Sequence, residues 1–424
     1  MDRPETEFGP EPVTPVVDNE LPDALKSFRL WEIVPACAIA LGALVQGVSM
    51  DPRHWDLALA YRGGIEAWAT GHPEWVRSWM STPFLGLTMA LVSHLATEDQ
   101  AVEGLLALSI VLVGIALGLV WNGLRGRVPR AFWWATLALT AFFAPLLSCF
   151  FYKQFNVIAL GVALGGFAAV RRGRWWLGSV LIAASVSLKP IVVLLPLALL
   201  ARRDTRRAGI LTLAAIILLS LLAQAFLASR AGDARVLSPL PSLQNFQEKA
   251  ERWISSQENF SPRGLLCRLA RQTVEPPLTD VFGSVVVLIL ILLANDALGN
   301  RSGTSWEIFA FACLLSPMVG PVAWAHYQLL EVPLLLLLAC QFLEARADWK
   351  WWALLGGAYA LSDLLLRPLD DSVPGALVAI VTGRHESERD LWAVMAIAQF
   401  AQYLLYGTAL AWFRFSRGQE STEG

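Results

Sequence analysis

Charge is scarce in this chain: of 424 residues only 16% are Asp, Glu, Lys or Arg, against 55% hydrophobic, and the mean hydropathy is +0.51. Soluble domains carry about 25% charged residues, so this composition excludes that class and indicates a polytopic membrane protein. A net charge of −2, with no basic tract and no zinc-ligand spacing, gives no reason to invoke nucleic acid. Cysteine is scarce as well. Cys37, Cys149, Cys313 and Cys340 lie in or beside apolar segments and only Cys267 in a polar one, which excludes a disulfide framework and leaves them as packing residues. The opening residues lack the basic region and early apolar core of a signal peptide. Acidic and Pro-rich, residues 1–28 read as a disordered cytoplasmic tail. No internal repeat is visible, which weighs against the common transporter architectures.

What the chain has in abundance is apolar runs. Twelve candidates to cross a hydrocarbon core of roughly 30 Å lie at 29–49, 101–121, 131–150, 155–170, 175–188, 190–201, 208–228, 281–299, 305–322, 327–343, 350–366 and 391–413. The runs at 175–188 and 190–201 are short and meet at Lys189-Pro190, where proline disfavours a helical predecessor. They read either as two spans or as one broken helix. Pro83–Leu95 is too short to span and reads as a surface or re-entrant helix. Three basic connections, with Arg125, Arg127 and Arg130, then Arg171, Arg172 and Arg174, then Arg202, Arg203, Arg206 and Arg207, fall on one side by alternation. The positive-inside rule makes that side cytoplasmic. Both termini are then expected inside, with a membrane domain at 29–414 and a short tail at 415–424. The outer side receives the loops 51–100 and 229–280.

That outer face collects the polar clusters: Asp51, Asp56, Tyr152-Lys153-Gln154, Lys189, Asn259, Arg263, and all five histidines. The insertion from Ser229 to Asp280 is too short and too poor in periodic apolar residues to be an enzyme by itself. A site would have to be built jointly from loops and helix mouths. The Trp133-Trp134, Trp175-Trp176 and Trp351-Trp352 pairs open spans beside cytoplasmic basic loops, as an aromatic belt does.

The ordered motifs resemble glycosyltransferase family 87, the polyprenol-phosphate-sugar-dependent transferases that include lipid-linked mannosyltransferases. The resemblance rests on Asp56-Leu57-Ala58-Leu59-Ala60-Tyr61-Arg62-Gly63, Gly71-His72-Pro73 and Thr82-Pro83-Phe84. It continues through Lys153-Gln154-Phe155-Asn156 and Lys189-Pro190. It closes on Asn259-Phe260-Ser261-Pro262-Arg263-Gly264-Leu265-Leu266 and Gly320-Pro321-Val322-Ala323-Trp324-Ala325-His326-Tyr327. The chain departs from the family pattern at Lys153, Phe260, Pro262, Gly320 and Ala60, where the family has Gly, Gln, Leu, Ser and Tyr.

The resemblance implies an all-α integral-membrane GT-C bundle of about 12 transmembrane helices with short outer-face surface helices. It implies transfer of a sugar, mannose or arabinose, from a polyprenyl phosphate to a glycolipid or lipoglycan, without metal or cofactor. Its partners would be those two lipids and the membrane. A lipid-phosphate donor needs no nucleotide-binding fold. The acceptor hydroxyl needs a base, and the resemblance gives that role to Asp56, with inversion by a single displacement. Lys189, Arg263 and His326 are implied at the donor phosphate. Gln154, Asn156, Asn259, Trp324 and Tyr61 are implied at sugar or acceptor, and Trp55 and Trp68 offer further stacking faces.

Each residue also has a plainer reading. Asp51 suits a turn before Pro52 and is the rival base, and Asp56 suits a helix cap. Lys189 could snorkel to the surface, and His326 could belong to an interfacial belt. A transporter or flippase would place ionisable residues along a path at mid-membrane, and a catalytically dead scaffold would keep the topology without needing Asp56.

Overall fold

The computed structural model describes residues 56–71, 82–124, 130–141, 143–151, 153–231, 261, 276–299, 301–319, 325–364 and 400–416, and among them it is all-helical. The helices are α1 (Asp56–Thr70), α2 (Pro83–Ser93), α3 (Glu98–Leu124), α4 (Arg130–Ala141), α5 (Ala144–Phe151), α6 (Asn156–Arg171) and α7 (Trp175–Leu188). They continue with α8 (Leu194–Ala201), α9 (Arg206–Ala231), α10 (Pro276–Leu298), α11 (Trp306–Val319), α12 (Val332–Glu344), α13 (Trp349–Leu364) and α14 (400–416). The expected tail at 1–28, all but the first two residues of that at 415–424, and residues 29–55, 232–260 and 365–399 lie outside the described residues.

Among the described residues, three helices are long and apolar enough to cross a membrane: Glu98–Ala116, Arg206–Arg230 and Tyr327–Glu344. A fourth span arises if Trp175–Leu188 and Pro190–Ala201 count together, but that pair is bent by 113°. The runs expected at 155–170 and 305–322 form the shorter apolar helices Asn156–Arg171 and Trp306–Val319. The protein is therefore a helical membrane protein with three or four such spans in its described part. At Lys189-Pro190 the chain bends sharply between the two helices, with Lys189 extended at φ −150°, ψ 120° and a 3-10 turn at Pro190–Val192, the geometry of a broken span or a re-entrant loop.

Helices α6 and α7 form a hairpin that positions everything discussed below. Two glycines face each other across it. A Cβ on Gly178 would lie 2.5 Å from Val170 Cγ2 and 2.6 Å from the Gly166 carbonyl oxygen, so only hydrogen fits. Small residues let membrane helices approach closely where no hydrophobic drive separates protein from lipid. The Ser185 hydroxyl adds a 2.7 Å bond to the Ala159 carbonyl. The break also leaves amides that water cannot reach. One is satisfied from α11, where Ser316 Oγ accepts from Leu194 N–H at 3.1 Å.

The hairpin's base is closed by a clasp on the next connection. Asp204 accepts from the Ser302 hydroxyl at 2.8 Å and from Gly303 N–H at 3.1 Å, while Arg202 donates to the Gly299 carbonyl at 2.7 Å. Behind it a core of large rings, including Phe143, Phe167, Phe309, Phe342 and Phe413, joins α6 and α11 to α12 and α14.

Gly178→Val should destabilise the protein by about 1–3 kcal/mol through overpacking, read as a lower thermal midpoint in detergent. Gly165→Val, on the same hairpin but with nothing within 4 Å of its Cβ position, should leave the midpoint nearly unchanged.

Candidate functional site at the tip of the broken helix

At one end of the hairpin stand Arg171, in the last turn of α6, and Arg174, which precedes α7. At the other end Gln154 lies just before α6 and Lys189 just after α7. Their side chains meet: Lys189 Nζ donates to Gln154 Oε1 at 2.5 Å. Lys189 is 9% exposed and Gln154 4%. The same ammonium lies 5.3 Å from the centroid of the Tyr327 ring, a cation–π contact from a distant segment. Asn156, the first residue of α6, is fully buried with its amide nitrogen 3.9 Å from Cys149 Sγ.

The turn that presents Gln154 is a Schellman cap. Lys153 N–H bonds to the Phe150 carbonyl at 3.2 Å, Gln154 N–H bonds to the Cys149 carbonyl at 2.8 Å, and Lys153 sits in the left-handed region at φ 47°. The turn at the opposite end of α6 uses the same pair of bonds with Gly173 at φ 72°. A left-handed residue bearing a Cβ costs about 1 kcal/mol, which explains why a family pattern would place glycine at this position. Arg346 repeats the departure at φ 50°, but on the surface. Lys153 is 6% exposed, and burial pulls its ammonium down to about 8 from the ordinary lysine value, against the opposing pull of Glu103 and Asp99.

Helix α1 joins this site through a second, smaller core. Leu57, Ala58 and Ala60 of α1 cluster with Leu85 and Met89 of α2, Val102 of α3, and Phe155 and Ile158, with Leu188 packed against them. Each polar candidate is thus flanked in sequence by a member of one apolar cluster: Asp56 by Leu57, Gln154 and Asn156 by Phe155, Lys189 by Leu188. Gly64 sets α1 directly on α2, since a Cβ there would lie 2.5 Å from Met89 Cβ. Thr82 caps α2 by accepting from Leu85 N–H at 3.1 Å and donates its hydroxyl to the Ser187 carbonyl, two residues before Lys189.

The remaining sequence candidates fall as follows. Asp56 opens α1. Tyr61 is 7% exposed and its hydroxyl donates to the Ala96 carbonyl at 2.7 Å, so here it anchors α1 to the start of α3. The exposed Arg62–Glu98 pair, at 2.6 Å, does the same. His326 lies in the 3-10 segment Ala325–Glu331, next to Tyr327. Asp51, Trp55, Asn259, Arg263 and Trp324 lie outside the described residues, although Ser261, between Asn259 and Arg263, is fully buried. Trp68 is already engaged: Arg230 Cζ lies 4.8 Å over its ring, with His94 edge-on at 4.8 Å and Phe226 at 5.7 Å. Sequence reasoning missed Tyr327 as the ring beneath Lys189. Its place directly after His326 was the available signal.

Chemically, the tip offers a desolvated ammonium, an amide that holds it, and a neighbouring helix that begins with a carboxylate residue. Lys153→Gly should raise the thermal midpoint in detergent, because it removes both the left-handed Cβ and a buried charge. The folded-state value is lowered, so the penalty is complete below pH 8 and fades as the pH rises above it. The gain should therefore be largest at pH 7 and shrink on titration towards pH 10.

Residues 79–321, more than half of the chain, match the model of Glycosyltransferase family 87. No curated protein and no solved structure gives a significant match. With the match running over α2 and α3, through the Gln154–Lys189 tip, and on over α11, the chain belongs to glycosyltransferase family 87.

Proposed function

We propose that the protein is an inverting GT-C transferase that moves a sugar, mannose in the first instance, from a polyprenyl phosphate to a glycolipid or lipoglycan at the outer face of the cytoplasmic membrane. The observation that carries this reading is the Lys189–Gln154 pair, a fixed and desolvated cation inside an apolar bundle. A charged side chain in a membrane helix costs about 2.5–3.5 kcal/mol and commonly marks a site. The 16 residues of α6 and 14 of α7 rise about 24 and 21 Å from their basic ends. In a core of roughly 30 Å the ammonium then lies a little below the outer boundary. A lipid phosphate drawn slightly inward from the outer leaflet reaches that depth without leaving the membrane.

In this mechanism Lys189 binds the donor phosphate, together with His326 and Arg263. Gln154 holds the ammonium in place, and Asn156 and Asn259 meet the hydroxyl groups of sugar or acceptor, with Trp324 stacked on a pyranose face. The acceptor oxygen attacks the anomeric carbon from the face opposite the phosphate. The carbon–oxygen bond to phosphate breaks with its electron pair on the phosphate, and Asp56 takes the acceptor's proton. Negative charge grows on the departing lipid phosphate, where a fixed cation in a partly dry site acts most strongly. No nucleotide and no metal are needed to carry it.

The test is transfer of labelled mannose from polyprenyl-phosphate-mannose to endogenous glycolipid in membranes holding matched amounts of each variant, with polyprenyl-phosphate-arabinose in a parallel arm. Asp56→Asn should lower transfer by roughly 10²–10⁴-fold; transfer equal to wild type would remove Asp56 from the mechanism. Lys189→Met should raise the donor KM by about tenfold or more, the worth of one hydrogen bond to a charged group. An unchanged KM would separate the ammonium from the donor.

A further inference from the structure

The 3-10 segment Ala325–Glu331 spans seven residues, whereas runs beyond three or four are uncommon because their hydrogen-bond geometry is poor. Something outside the segment must hold it. In a 3-10 helix residues three apart are eclipsed, so Gln328 and Glu331 share an edge, and they are 0% and 1% exposed. Glu331 occupies the N-cap position of α12, yet its side chain makes no capping bond there. Instead it reaches across the bundle: Glu331 Oε2 accepts from Ser362 Oγ of α13 at 2.7 Å, Ser362 is itself fully buried, and the buried Gln402 of α14 is a second, lesser partner of the carboxyl. A carboxyl group buried to this degree, and directed away from the helix it could cap, is expensive. The same segment carries Tyr327, whose ring lies beneath Lys189 Nζ, and His326, next to it in sequence.

We infer that Glu331 is a positioning residue for the donor site: its bond to Ser362 fixes the rotation and height of the 3-10 segment that carries His326 and Tyr327 to Lys189. This rests on the reading that Lys189 holds the donor phosphate. It adds a residue that touches neither lipid.

Two readouts on the full chain test it. Without substrate, amide hydrogen exchange over 325–331 should rise in Ser362→Ala and Glu331→Leu. Exchange should stay at the wild-type level in Glu331→Gln, whose amide oxygen can still accept the Ser362 hydrogen. Unchanged exchange in Ser362→Ala would overturn the inference whatever the transfer assay gives. With polyprenyl-phosphate-mannose as the varied donor, Ser362→Ala should raise KM several-fold while kcat changes less than twofold, with Glu331→Gln close to wild type. Adding Ser362→Ala to the double variant His326→Ala/Tyr327→Leu should then raise KM no further, since the segment acts through those two residues. A lower thermal midpoint with an unaltered KM, or fully additive effects, would show a merely structural bond and sink the proposal. If the wild-type chain transfers from no polyprenyl-phosphate sugar, the proposed function fails, and the exchange experiment still decides the role of Glu331.

Discussion

The Lys189–Gln154 hydrogen bond is the constraint around which the described structure is arranged. An ammonium costs about 2.5–3.5 kcal/mol at the centre of a membrane-spanning helix and less towards its end, and a hydrogen bond to a charged group returns about 1.5–3 kcal/mol. The two nearly cancel, so the arrangement survives only if Gln154 is delivered to the right place at little further cost. The delivery is visible in the backbone. The Schellman turn at Lys153 aims Gln154, the glycine contact between Gly166 and Gly178 keeps the two helices level, and Ser316 satisfies the amide that the break leaves open.

The same logic separates this chain from its family pattern. The family pattern that this sequence resembles has glycine where this chain has Lys153, and the left-handed backbone there gives the reason. Retaining a lysine at that point costs backbone energy as well as desolvation, while Gly173 closes the other end of α6 without either. Its amine also stands close to the start of α3, through Glu103 and Asp99. Two buried lysines thus flank Gln154, Lys153 before it in the turn and Lys189 bonded to it from the end of α7.

Much of this could be read from the residues in order. The scarcity of charge gives the membrane class, and the basic turns at Arg171–Arg174 and Arg202–Arg207 bracket the segment of α7 and α8. Lys189-Pro190 marks its break, because proline cannot follow a helical residue comfortably. What could not be read is contact across the bundle. Nothing local pairs Lys189 with Tyr327, 138 positions later in the chain, or turns Glu331 from a helix cap into an anchor on Ser362. Tyr61 has the opposite lesson. Its place in a motif suggested a ligand, while its hydroxyl reaches the Ala96 carbonyl and serves the packing of α1. Periodicity gives the helices and proline their ends, but side-chain partners across helices follow from the packed arrangement alone.

The clasp at Asp204 and Gly303 has a mechanical side. It ties the connection after α8 to the segment before α11, while at the far end of α7 the Lys189–Gln154 pair, the Tyr327 ring, the Thr82 hydroxyl on the Ser187 carbonyl and the Leu57–Phe155 cluster converge. Helix α7 is thus gripped near both ends, so a push on it is shared among its neighbours rather than taken up at one joint.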